Sequence, residues 1–207
     1  MRLSARAASG MLAALAAQVT LAAPVTVTAT TSTGAPAEDV VVVFDPLDAA
    51  PPPTHDTAVV DQIDRTFVPR VSVVRTGTSI MFPNSDHIRH QVYSFSPAKT
   101  FSIKLYAGSP KTSVEFDHAG LVVLGCNIHD RMVAFIGVVD TPWFAKTPAS
   151  GVATLDMPAG RYRMRAWHEH ARSAFPTREV TVGTGALGVP IKIDIDPDSA
   201  RVSDWPG

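Results

Sequence analysis

The chain has 207 residues, enough for one large domain or two small ones at roughly 100–200 residues each. Hydrophobic residues make up 45% and charged residues 18%, which excludes a disordered chain. A net charge of −1 and a pI near 6.6 give no basic face for nucleic acid, and a single cysteine excludes an internal disulfide and multi-thiolate zinc sites.

Residues 1–23 have the three-part pattern of an export signal: Arg2 and Arg6, the short apolar run Met11 to Ala17, then small residues leading to a cut near Ala22 or Ala23. No later apolar run reaches the ~20 residues a membrane-spanning helix needs. The rest is expected to be all-β. Short β-branched segments fall at 25–31, 40–44, 70–77, 78–84, 90–96, 101–106 and 112–116. They continue at 121–126, 132–140, 152–157, 161–168, 178–182 and 189–195, separated by Gly, Pro, Asp and Ser turns. The proline-rich stretch 49–56 cannot be a central strand. The stretch 140–151 reads as a turn-rich crossing. The domain expectation is therefore a unit at 57–142 and a second at 146–199, with strands from 24–48 belonging to the second. The first would then be an insertion in the second, which is too small to be comfortable alone.

One segment carries chemistry. LVVLGCNIHDRMVAFIGVV (121–139) ends a strand near Cys126, carries His129 in a tight loop and opens the next strand near Met132. Upstream, FPNSDHIRHQV (82–92) places His90 at another loop–strand junction. One thiolate, two imidazoles and one thioether form the mixed set used by electron-transfer copper sites. In an exported protein a ligand or redox role also explains an unpaired cysteine. The bland alternatives are His87 and His90 as solvated loop histidines, with spacing favouring His90 as a ligand, Cys126 and Met132 as core fillers, His129 as an ordinary loop residue, zinc in place of copper, or an empty site.

The two segments resemble those of cupredoxins of the plastocyanin, pseudoazurin and amicyanin kind. Asn84, Asp86, His90 and Val92 fall in the usual spacing, and Cys126-x2-His129-x2-Met132 has the short amicyanin spacing. The wider string from Val92 to Thr147 is similar to exported proteins labelled methylamine utilization proteins. The resemblance covers about 57–145. It implies a Greek-key β-sandwich holding one type 1 copper ion, with His90, Cys126 and His129 as in-plane ligands and Met132 axial. The chain departs from the pattern at Asp130, where amicyanin loops have proline, and at Gln91, where asparagine is common. Asp130 is expected to orient His129 or lower the potential.

TPASGVATLDMPAGRYRMRAWHEH (147–170) and VTVTATTSTGAPAEDVVVVF (25–44) resemble carboxypeptidase-regulatory-like, or transthyretin-like, β-sandwiches. Such modules serve packing or partner contacts. Alternation puts His168 and His170 on one strand face, a weak second metal candidate without a third ligand, with Trp167 opposite as core. Asp194, Asp196 and Asp198 read as the solvent face of a final strand. The glycine pattern at 183–188 precedes strand rather than helix, which excludes a nucleotide loop.

The expectation is a periplasmic mononuclear type 1 copper protein, a one-electron carrier rather than an enzyme. It would serve a redox partner protein that the sequence does not identify, with no nucleic acid and no membrane span. Electrons would leave at His129 through an apolar patch, for which Val133, Ala134 and Pro83 are candidates. Copper delivery without a redox partner, and a metal-free structural sandwich, are the alternatives.

Overall fold

The computed structural model describes residues 22–48, 51, 54–196, 198 and 205. The export-signal expectation therefore falls, up to residue 21, outside the described residues, while Ala22 and Ala23 already belong to the first strand. Among the described residues every regular element is a strand. In chain order these are β1 (Ala22–Thr31), β2 (Val41–Pro46), β3 (Thr57–Val59), β4 (Asp61–Ile63), β5 (Thr66–Val68) and β6 (Val71–Arg75). There follow β7 (Thr78–Met81), β8 (His90–Ser96), β9 (Lys99–Tyr106), β10 (Val114–Phe116), β11 (Gly120–Gly125) and β12 (Val133–Val139). The last are β13 (Phe144–Lys146), β14 (Val152–Pro158), β15 (Gly160–Trp167), β16 (Arg178–Val182) and β17 (Leu187–Ile193).

The strands build two sandwiches. In one, the sheet β14-β1-β17 faces the sheet β13-β2-β15-β16, so segments from both ends of the chain close a single core. β1 pairs antiparallel with β14 and parallel with β17, and Val25, Val27, Met157, Val189 and Ile191 are sealed between the layers. In the other, the sheet β6-β12-β11-β8-β9 faces β10-β7-β3 and the β4-β5 hairpin, around Phe67, Ile80, Phe82, Phe116, Val122 and Leu124.

The two sandwiches stack face to face, and the sequence pattern shows why. Most strands alternate: β17 buries Val189, Ile191 and Ile193 and exposes the residues between. β2 and β12 do not. In β2, Val42 and Phe44 face their own core, while Val41 and Val43 face the other sandwich. In β12, Ala134, Ile136 and Val138 point inward, and Phe135 and Val139 point outward onto Val41, Val43 and Trp167. A strand covered on both faces reads as an unbroken apolar run, as at 40–44 and 132–140. Gly137, also in β12, leaves room for the Trp205 ring; a Cβ there would stand 2.1 Å from its Cη2.

Several expectations need correction. β3, β4 and β5 lie in 57–68, where no strand was expected. The β4-β5 turn puts Asp64 and Arg65 at φ of 50° and 58°, a hairpin conformation usually signalled by Asn-Gly or Asp-Gly. β13 forms inside 140–151 because Phe144–Lys146 pairs with β2. β15 ends at Trp167, so His168 and His170 sit in a turn rather than on a strand face. β17 ends at Ile193. Beyond it, Ile195 bridges to Ala171 and packs on the core while Asp194 stays exposed as expected, and Asp194 and Asp196 lie 3.6 and 3.4 Å from the Arg172 guanidinium.

Candidate metal centre

Three side chains converge at one end of the second sandwich. β8 and β11 are antiparallel neighbours with Tyr93 opposite Gly125, which brings the start of β8, at His90, to the sheet end where β11 delivers Cys126. Alternation along β8 turns His90, Val92 and Ser94 inward. Between β11 and β12 the chain makes two successive turns. The His129 N–H donates to the Cys126 carbonyl at 3.3 Å, and the Met132 N–H donates to the His129 carbonyl at 2.9 Å. Each four-residue turn returns its end toward its start, so the spacing 126, 129, 132 gathers all three residues around the joints of one loop.

The Cys126 Sγ lies 3.8 Å from His90 Nδ1 and 4.0 Å from His129 Nδ1. The donor atoms of the three residues fall within 4.8 Å of one another. His90 and Cys126 are buried and His129 is half-buried. An ion bound at ~2.0–2.3 Å to imidazole and thiolate keeps its donors roughly 4 Å apart or less, so the separations suit a central metal. Met132 is buried in the same apolar cluster as Cys126.

His90 is oriented through its far nitrogen. Nε2 donates to Asp86 Oδ2 at 2.7 Å, which leaves the Nδ1 lone pair facing the sulfur. Asp86 is itself fixed by the backbone N–H groups of Asp64 and Arg65, at 2.7 and 2.8 Å. Burial alone would raise the Asp86 carboxyl, but the hydrogen bonds from Arg65, His90 and Asp64 outweigh it and hold it below the ordinary aspartate value. It therefore remains an acceptor for the imidazole. The left-handed β4-β5 turn thus positions an anion, the anion positions an imidazole, and the imidazole faces the thiol.

A buried polar frame stiffens the loop before His90. Asn84 Nδ2 donates to the Ile88 and Tyr106 carbonyls at 2.9 and 2.8 Å. The Tyr106 hydroxyl donates to the Phe82 carbonyl and accepts Gln62 Nε2. Burial pushes the Tyr106 phenol up to about 12, so it stays neutral and keeps its donor proton. On the other side, the Tyr93 ring lies on Gly125; a Cβ there would stand 2.7 Å from Cζ, which explains glycine immediately before Cys126.

The structure brings together His90, Cys126 and His129, with Met132 closing the same loop. His87 is exposed. Asp130 is exposed and makes no hydrogen bond or ion pair among the described residues, so the expectation that it orients His129 is corrected; the orienting carboxylate is Asp86, on His90. The expected patch also changes. Ala134 is buried in the core and Val133 packs toward the other sandwich, while the exposed apolar side chains near His90 and His129 in the chain are Ile88 and Ile128, 44% and 47% exposed. The Asp86 contact had a signal in the sequence, a carboxylate four residues before His90. Its support from a non-glycine turn had none. Among the described residues His168 and His170 gather no third ligand: the His170 backbone N–H donates to His168 Nδ1 at 3.1 Å, and His168 serves as a satisfied buried residue.

No protein-family model and no curated protein matches the chain. Among solved structures, the chain is similar to a copper-containing nitrite reductase from Thermus scotoductus SA-01, with 22% identity, a TM-score of 0.38 and coverage of 47% of this chain but 26% of that one. It is also similar to a purple cupredoxin from Nitrosopumilus maritimus, with 17% identity, a TM-score of 0.35 and coverage of 40% and 99%. A third is an oxidized mutant of amicyanin, with 18% identity, a TM-score of 0.37 and coverage of 47% and 97%. The structural neighbours of this chain are cupredoxins, over less than half of its length.

Proposed function

We propose that this chain is an exported, mononuclear type 1 copper protein that carries one electron at a time and is not an enzyme. The observation that supports it best is the Cys126 sulfur flanked by two imidazole Nδ1 atoms at 3.8 and 4.0 Å inside an apolar cluster. His90, Cys126 and His129 would hold the ion, with Met132 as a weak fourth ligand. Bound copper supplies one-electron cycling between its cuprous and cupric forms, which a mixed thiolate, imidazole and thioether set accommodates.

The chain's own residues do the rest. Asp86 fixes the tautomer and direction of His90. The frame of Asn84, Tyr106 and Gln62 holds the preceding loop, so the donors keep one arrangement in both oxidation states. Burial of Cys126 and Met132 excludes water from the sulfur side. His129 is the ligand nearest solvent. The exposed Ile128 and Ile88, near His129 and His90 in the chain, give a redox partner protein an apolar contact where a short electron path begins.

The test is an absorption spectrum of the purified protein after Cu(II) addition, with Cys126→Ser alongside. An intense thiolate-to-copper band that vanishes in the variant is expected. Equimolar copper uptake without that band would overturn the carrier reading in favour of copper delivery.

A further inference from the structure

The loop that carries Cys126, His129 and Met132 is held from outside its own sandwich. Arg70 lies just before β6 and reaches in three directions. Its Nε donates to Glu169 Oε1 at 3.0 Å and its Nη2 to Oε2 at 2.7 Å, a bidentate pair. Its Nη1 donates to the Val133 carbonyl at 3.2 Å, and its guanidinium sits over the Phe135 ring at 5.7 Å. Val133 is the first residue of β12 and follows Met132 directly. Glu169 belongs to the turn after β15, in the other sandwich, and is 5% exposed. Two residues earlier, Trp167 packs on Phe135 with ring centroids 5.5 Å apart. The end of β15 and the turn that follows it therefore grip the exit of the ligand loop at two points, one apolar and one ionic.

We propose that Arg70 and Glu169 are positioning residues for the ligand loop, through which the two-ended sandwich fixes where β12 begins and hence how Cys126 and Met132 are presented. The inference rests on reading the cluster as a copper site for its spectroscopic consequence, but not for its mechanical one. A planar guanidinium suits the task because one rigid group can engage a carboxylate with one edge and a carbonyl with the other. A lysine ammonium supplies the charge without that fork. With Glu169 made neutral, the guanidinium loses the anion that aims it, and the Val133 carbonyl loses a fixed donor.

The test uses the whole chain, metal-free and copper-loaded, as wild type, Glu169→Gln and Arg70→Lys. Asp48→Asn, which breaks the exposed pair with Arg161 in the same sandwich, is the control. Three readouts are taken: the rate at which a small alkylating reagent modifies Cys126 in metal-free protein, the position of the thiolate-to-copper band, and the rate at which bicinchoninate strips copper. In Glu169→Gln, alkylation and copper release should each rise on the order of tenfold and the band should shift. Arg70→Lys should fall between that and wild type, and Asp48→Asn should match wild type. Wild-type behaviour of both variants in all three readouts overturns the proposal. If Glu169→Gln fails to fold, Arg70→Lys decides alone, by the same criteria. Because alkylation needs no metal, a wild type without a thiolate band whose variants still expose Cys126 would remove the type 1 carrier reading and leave the positioning role standing.

Discussion

The two sandwiches are made of the same material and spend their interiors differently. The two-ended sandwich closes on an apolar core of valine, alanine, isoleucine and methionine with Phe44 and Tyr162, and its one buried histidine, His168, lies in the turn after β15. The inserted sandwich buries His90, Asn84, Gln62 and Cys126 at one end of an otherwise similar core. Buried polar groups are kept in a fold mostly by partners: here His90 has Asp86, and the Asn84 and Gln62 amide N–H groups have backbone carbonyls and the Tyr106 hydroxyl, while Gln62 Oε1 is left without one. One unit is thus a scaffold and the other a scaffold with a site, and stability and metal chemistry should be separable by substitution.

The largest separation is expected from paired core truncations. Phe44→Ala and Phe82→Ala each remove a fully buried ring and should each cost about 3–5 kcal/mol in denaturant unfolding. Only Phe82→Ala should alter the copper spectrum of the folded protein, because Phe82 abuts the frame of Tyr106 and Asn84. If Phe44→Ala moves the band as well, the comparison breaks. Gly125→Ala comes next: the new methyl meets the Tyr93 ring, so about 1–3 kcal/mol should be lost, with a band shift because Cys126 is the next residue. Asp86→Asn keeps a polar partner for His90 but removes the charge. It should weaken copper on the order of tenfold in a chelator competition while the melting temperature falls little.

The smallest effect belongs to the scaffold. Burial, followed by the neighbouring His170, pushes the His168 imidazole below its ordinary 6.5. Protonation therefore favours the unfolded chain. Stability is whole above that ordinary value and declines as pH falls through it toward the lowered folded value. Urea midpoints measured from about pH 7 down to 5 should fall less steeply in His168→Gln than in wild type. The thiolate band should be the same in both.

Much of this organisation was legible in the residues. β-branched runs bounded by Gly, Pro, Asp and Ser turns located thirteen of the described strands, because side chains that suit a pleated, partly buried surface and residues that break it are both local signals. β3, β4, β5 and β13 were missed because they are three-residue pieces fixed by their neighbours rather than by local preference. The unbroken runs at 40–44 and 132–140 carried a further message, burial on both faces, that becomes readable only once the stack is seen. At the site, the three-residue spacing from Cys126 to Met132 named the loop. The alternation at 167–170 misled, since β15 stops at Trp167 and the chain turns.

The candidate donor set was legible in the sequence alone, because the kinds of side chain and the spacing of Cys126, His129 and Met132 along one loop are local properties. Tertiary structure alone decided which carboxylate orients which histidine, and that the far end of the loop is gripped by an arginine and a glutamate 99 residues apart. Asp86 rather than Asp130 holds an imidazole because a turn between two short strands presents its N–H groups there. Such contacts depend on where distant backbone segments come to rest, and no period or motif within either segment encodes that position.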